Sequence, residues 1–324
     1  MYIFLSIIKL YYLRLCPQFV PVPISGFVFD STQEVFNEHF FGVAFEGSDI
    51  IFHQGGLNKR NAEKDTIFSP EEGSYVYCQK TGNDMSICTD PSGLCKIYVY
   101  ESGDNWAVSD SFYELCESVK KLGWPLNPDL PSIYSTRIPG WFGDQLLSFN
   151  TVFDEISLVP HWEKLTISNR KTEIRTSDKY ENLGSKSKGY EETLREHIST
   201  SISRIGTLLS DDRIEVIADL SGGIDSRVTA SLLINSGRLE RFSFFTKPGE
   251  NLNTDRRIAE IICQQFGASL VHSYPQGAQT LDYTEWRRRC LGIYPPFWFR
   301  SDYPLTTQRL GGKAGELYRD FYGP

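Results

Sequence analysis

The stretch Ile214-Glu-Val-Ile-Ala-Asp219-Leu220-Ser221-Gly222-Gly223-Ile224-Asp225-Ser226-Arg227 decides the fold. Its apolar half, Ile214 to Leu220, predicts a strand, and a helix opening at Ser226 follows, with Gly237 placed to end it. Two adjacent glycines between strand and helix let the backbone approach a ligand and turn its amides inward. The helix adds unpaired N–H groups and the positive end of its dipole, so the turn reads as an anion cradle. Ser221 and Ser226 add hydroxyl donors, and Asp225 supplies a carboxylate where a magnesium ion on a polyphosphate needs one. The plain alternative is a tight strand-to-helix turn with Ser226 as its N-cap. Serines on both sides and an acid inside the loop favour the cradle.

Working outward, the same alternation continues on both sides. Leu194, Ile198, Ile202, Ile205 and Leu209 step by three or four residues and predict a helix with one apolar stripe. Phe242 to Thr246 predicts a second strand. A third helix opens at Thr254 and carries Ile258, Ile261, Ile262 and Phe266 before Gly267; a third strand spans Leu270 to Tyr274. Strands alternating with helices imply βαβ units and a parallel sheet, with the ligand site at the carboxyl ends of its strands.

The first half has a different rhythm. Short apolar runs (Phe40 to Phe45, Ile50 to His53, Ser74 to Cys78, Ile97 to Tyr100, Trp106 to Val108 and Leu158 to Ile167) are punctuated by turn residues and predict a β-rich domain. Only Asp110 to Leu122 reads as helical there, with Asp110 as N-cap and Phe112, Leu115, Val119 and Leu122 on one face. The polar stretch from about Ser177 to Lys188 marks a linker, so the expected division is 1–176, a linker over 177–190, and 191–324.

With 324 residues, 40% of them hydrophobic and 14% aromatic, the chain can bury a core in each of two domains. A net charge of −8 repels phosphate backbones and anionic lipid, which argues against a nucleic-acid binder. The apolar run Tyr2 to Ile8 is too short to span a membrane, and its charges Lys9 and Arg14 follow it, the reverse of a signal peptide. A buried strand or an irregular extension is expected instead, with no membrane partner. Seven cysteines without a CxxC pair suggest reduced thiols in a cytoplasmic protein, and His39, His53, His161, His197 and His272 lack metal-ligand spacing. The basic cluster Trp286 to Arg289 reads as a solvated helix face before a polyphosphate contact. Tyr294, Phe297, Trp298, Phe299 and Tyr303 serve a core or a substrate pocket equally well.

The string Ser221-Gly-Gly-Ile-Asp225-Ser226 resembles the SGGxDS pyrophosphate loop of the N-type ATP pyrophosphatases, and its flanks resemble the asparagine synthetase family. Asp255, Ala259 and Gly267 are similar to that family's helix after the second strand. Gly311-Gly312-Lys313-Ala314-Gly315-Glu316 resembles its second glycine-rich loop, with Lys313 where small residues are usual and one acid, Glu316, where an Asp-Glu pair is common; an ordinary surface turn is the alternative. In the first half, Asp90-Pro-Ser-Gly93 through Tyr98, and Thr151 through Ile156 with Leu158 to Pro160, resemble segments of the family's glutaminase-like Ntn domain.

The resemblance implies an α/β fold with an α+β first half: an Ntn-like, β-rich domain, then a parallel-sheet, adenine nucleotide alpha hydrolase-like (PP-loop) domain. It implies ATP and Mg2+ as cofactors, held by Leu220, Ser221, Gly222, Gly223, Asp225, Ser226, Gly312 and Gly315. Asp225 and Glu316 would serve as metal ligands and catalytic groups. It implies activation of a small-molecule carboxylate as an acyl-adenylate with release of pyrophosphate, then displacement of AMP by ammonia or an amine. A homodimer is the assembly allowed for.

An active glutaminase of this type uses a cysteine exposed at the mature N-terminus as nucleophile and its amino group as base. The nearest echo of that start here is Ser25-Gly26-Phe27; Cys16, before Pro17, reads as a core or loop thiol. Ammonia or an amine is therefore the expected nitrogen source. Two other readings compete: a non-catalytic nucleotide-binding remnant, favoured by the stop at Pro324 where resembling synthetases continue, and an Ntn hydrolase. A dinucleotide-dependent oxidoreductase lacks its GxGxxG opening to a helix.

Overall fold

The computed structural model describes residues 27–33, 36–93, 95–135, 148–169, 171–177, 189–212, 214–246, 253–271 and 307–311. The fold is mixed α/β, with two antiparallel sheets in the first half and a parallel sheet in the second. Among the described residues, no helix is long and apolar enough to cross a membrane.

In the first half, β1 (Val28–Asp30), β7 (Asn105–Ser109), β6 (Tyr98–Ser102) and β8 (Ile156–Leu158) make a four-stranded sheet in that order. A six-stranded sheet runs β10 (Lys171–Thr176), β9 (Glu163–Ser168), β5 (Asp84–Thr89), β4 (Glu72–Thr81), β2 (His39–Glu46) and β3 (Asp49–Phe52). The period of two sends alternate residues of β4 to opposite faces. Val76 and Cys78 join Val99, Trp106, Val108 and Leu165 in the core between the sheets. Tyr75 and Tyr77 face the other way, onto Phe40, Phe68 and Leu57 of the helix α1 (His53–Glu63). On the four-stranded sheet, Tyr98, Tyr100 and Ala107 likewise turn outward against Phe112, Leu115, Cys116 and Val119 of α2 (Phe112–Lys121). The layers are thus helix, sheet, sheet, helix, which is why so many strand residues are apolar on both faces.

Several local expectations are corrected here. The helix α1 escaped the apolar pattern because it buries only Leu57 and Arg60 and contains Gly55 and Gly56. Polar anchors hold it: Arg60 donates to Glu46 (2.5 and 2.9 Å) and to Thr66, and Gln54 Oε1 accepts from Phe40 N at 2.7 Å. His53 opens this helix instead of closing β3, at a left-handed φ of 48°, with its Nδ1 accepting from Gly42 N at 3.1 Å. The cap of α2 is Ser111, whose hydroxyl accepts from Glu114 N, not Asp110. The run Leu158 to Ile167 is divided between β8 and β9, in different sheets. The charged edge strand β10 has no apolar alternation to announce it.

Two of the resembling segments prove to be turn chemistry. Asp90, fully buried, accepts from Ser92 N and Cys95 N, and Gly93 sits at φ +62 with the His161 ring only 3.1 Å from where a Cβ would be. Thr151 Oγ1 donates to Ile156 O at 2.8 Å and ties the loop that carries β8.

The first half also holds the short helix α3 (Leu130–Ser135), and the second half opens with α4 (Tyr190–Leu209). Then come β11 (Glu215–Asp219), α5 (Ile224–Asn235), a 3-10 turn (Leu239–Arg241), β12 (Phe242–Phe245), α6 (Asn253–Phe266), β13 (Ser269–Val271) and β14 (Thr307–Leu310). All pairings are parallel, in the order β13-β12-β11-β14. Its core joins Ile205, Leu208 and Leu209 of α4, Val216, Ala218, Leu220, Leu233, Phe244, Ala259, Cys263 and Leu310. The expected stripes are buried in part: Ile198 of α4 and Ile261 and Phe266 of α6 stay 41%, 52% and 45% exposed. Ile50 and Phe52 of the first half pack onto this second core. Arg204 of α4 fixes the contact, donating to Gly47 O, Glu71 and Glu72 and lying 4.9 Å over the Phe45 ring.

Candidate functional site

The loop 220–226 leaves the carboxyl end of β11, the strand from which the sheet grows in both directions. The chain proceeds through α5 to β12 on one side of β11, whereas β14 pairs with its other side. Among the described strands the order therefore reverses at β11, and in open parallel sheets the ligand crevice lies outside the carboxyl ends at such a reversal. Ala218 is the partner of Leu310, so Gly311 leads away from β14 beside the point where the loop leaves β11. Gly312, Lys313, Gly315 and Glu316 lie outside the described residues, as do Cys16, Ser25, His272, the cluster at 286–289 and the aromatics at 294–303.

The loop's amides are largely spoken for within the protein, which changes the picture of an inward-turned cradle. Ser221 N donates to Ser226 Oγ at 3.1 Å, Gly223 N to Ser221 Oγ at 3.2 Å, and Gly222 N to Asp255 Oδ1 at 2.8 Å. The two serine hydroxyls meet at 2.9 Å. The helix opens two residues earlier than expected, at Ile224, with Gly223 in the cap position and no side chain capping it. Ser226 therefore lies inside the first turn, where its side chain braces the loop. The amides of Ile224, Asp225 and Ser226 make no hydrogen bond to any described residue; they are the open donors of the helix end.

The two glycines serve different ends. A Cβ on Gly222 would come within 2.8 Å of both Asp255 Oδ1 and Ile258 Cδ1, so this glycine makes room for two side-chain ends of α6. On Gly223 a Cβ would meet only Ser221 Oγ at 3.4 Å, an ordinary contact. Leu220 is buried under the loop and ties its amide to Phe245 O at 2.8 Å. Asp225 is half-buried in the first helical turn. Asp255 was legible as part of the resemblance, but its role on Gly222 N carried no signal in the sequence.

These donors fit a magnesium-bound polyphosphate. Three free amides and a helix dipole suit an anion. Among the described residues no group of three or more His, Cys, Asp or Glu side chains is arranged to hold a metal; magnesium, which keeps waters and phosphate oxygens as ligands, needs only one or two carboxylates. Asp225 and Asp255 are the nearby candidates.

Elsewhere, three buried thiols are poor nucleophiles. Burial pushes Cys78 well above its ordinary value, Cys116 up to about 12 and Cys263 up to about 11. The described histidines are held neutral: burial lowers His39, His53 and His161, and burial followed by the Arg204 charge lowers His197 to about 4.

No protein-family model matches the chain, and no curated protein matches it. Among solved structures it is similar to an allosteric regulatory enzyme of purine biosynthesis, at 12% identity and a TM-score of 0.24 over 75% of this chain and 61% of that one. It is also similar to the glutamine phosphoribosylpyrophosphate amidotransferase of B. subtilis, at 10% identity and a TM-score of 0.24 over 80% of this chain and 50% of that one. The chain thus spans between half and three fifths of the length of those proteins. At this level of similarity the reading of the site rests on the chain's own geometry.

Proposed function

We propose that the chain is an ATP-dependent, AMP-forming amide ligase of the asparagine synthetase kind, which binds magnesium-ATP at the loop 220–226. One observation carries the reading: the open first-turn amides of α5 stand at the carboxyl end of β11, where the strand order reverses, with Asp225 among them. The amides of Ile224, Asp225 and Ser226 would bind and orient the phosphates, and Asp225 would hold the magnesium; the resemblance adds Glu316, Gly312 and Gly315, which lie outside the described residues. When bound, ATP supplies an activated phosphoryl centre for a substrate carboxylate, with pyrophosphate as leaving group. Ammonia or an amine is the nitrogen donor in this reading.

The test is titration of the full chain with magnesium-ATP, followed by ATP–pyrophosphate exchange across a set of carboxylic acids. Exchange that depends on one class of acid is expected. Absence of nucleotide binding would refute the reading, and binding without exchange for any acid would leave the non-catalytic nucleotide-binding alternative in its place.

A further inference from the structure

Resting on the reading of loop 220–226 as an anion site, we infer that Asp255 is its positioning residue. The carboxylate fixes the Gly222 amide and thereby leaves phosphate recognition to the first-turn amides of α5.

A flexible Gly-Gly turn has several amides that could face an anion, and which of them do depends on what holds the others. Here Gly222 N–H ends on Asp255 Oδ1 at 2.8 Å, a bond strengthened by the acceptor's charge. Asp255 is itself well anchored, because α6 buries Ala259 and Cys263 in the core of the parallel sheet. The fit is close: a Cβ at position 222 would come within 2.8 Å of Asp255 Oδ1 and Ile258 Cδ1, so one of those side-chain ends would have to shift. Ser221 and Ser226 secure the flanking amides in the same way. The loop is thus ordered before any ligand arrives, with the first-turn amides of α5 left as its donors. Such preorganisation removes an ordering cost from binding.

Hydrogen exchange of peptides spanning 219–227, measured on the ligand-free full chain, tests the contact without any nucleotide. Asp255→Ala is expected to raise exchange at Gly222 at least tenfold, whereas Asp255→Asn, whose amide oxygen still accepts, is expected to retain most of the protection. Magnesium-ATP titration should show the same order: a loss of about tenfold or more for Asp255→Ala and a small loss for Asp255→Asn. Unchanged exchange in Asp255→Ala, with a normal melting curve, would overturn the inference. So would an Asp255→Asn variant that keeps its protection yet loses magnesium-ATP as fully as Asp255→Ala, since that pattern marks a metal ligand. If the parent chain binds no magnesium-ATP, the functional reading fails, while the exchange data still decide whether Asp255 positions the loop.

Discussion

Gly222→Ala and Gly223→Ala, two changes of identical chemistry at adjacent positions, are expected to behave differently. At 222 the new methyl carbon would sit 2.8 Å from Ile258 Cδ1 and 2.8 Å from Asp255 Oδ1, whereas contacts between such atoms settle near 3.5–4.0 Å. Something must retreat by about 1 Å. Rotating the Ile258 terminus off its preferred well costs roughly 0.5–1.5 kcal/mol. Moving the Asp255 carboxylate away gives up a hydrogen bond to a charged acceptor, roughly 1.5–3 kcal/mol. The expected destabilisation is therefore about 2–4 kcal/mol. At 223 the nearest atom is 3.4 Å away and the backbone, at φ −70 and ψ 150, admits alanine without strain. The weaker capping by alanine is offset by the lower entropy of the unfolded chain, leaving a net change within about 0.5 kcal/mol. Thermal melting of the ligand-free variants should then show a fall of roughly 5–10 °C for Gly222→Ala and under about 2 °C for Gly223→Ala. Equal melting temperatures, or a larger loss at 223, would refute the assignment of Gly222 to helix packing.

Asp225→Asn removes a charge from the first turn of α5, worth at most about 1 kcal/mol in the ligand-free protein; magnesium should no longer strengthen ATP binding, which calorimetry with and without the metal will show. Arg204→Met keeps the apolar stem over Phe45 but loses the bonds to Gly47 O and Glu72, so it should cost about 2–4 kcal/mol by denaturant midpoint. Glu71→Ala, whose side chain is 59% exposed, should cost under about 1 kcal/mol. Four histidines have pKa values lowered by burial, His197 to about 4, so the folded chain takes up fewer protons than the unfolded chain once the pH drops below 6.5. Their contribution to stability is fully present above that value and is lost as pH falls towards about 4. Melting temperature should decline between pH 6.5 and 4.5, less steeply in His197→Gln, and a rise on acidification would contradict this.

Elements held by apolar burial were legible in the sequence. The strand before the loop, the strand Phe242–Phe245 and the helix Asn253–Phe266 stand close to their expected bounds, because a repeating apolar pattern reports one buried face. The loop residues Leu220 to Ser226 were legible for another reason: two glycines between serines, with an acid inside, are a local chemical pattern. Elements held by polar contacts were not. The helix His53–Glu63 depends on Arg60 reaching Glu46 and Gln54 reaching Phe40, contacts that exist only once strands and helix are side by side.

The sequence by itself determined the class of fold and the segment in which an anion site could form, since both follow from residues near one another along the chain. The closing of the Gly222 amide was decided by Asp255, 33 residues beyond it, and the reversal of strand order was decided by β14 pairing beside β11. The physical reason is the same in both cases. A hydrogen bond or a strand pairing depends on distance in space, and side chains far apart in the sequence acquire that distance only when the sheet and its helices have packed.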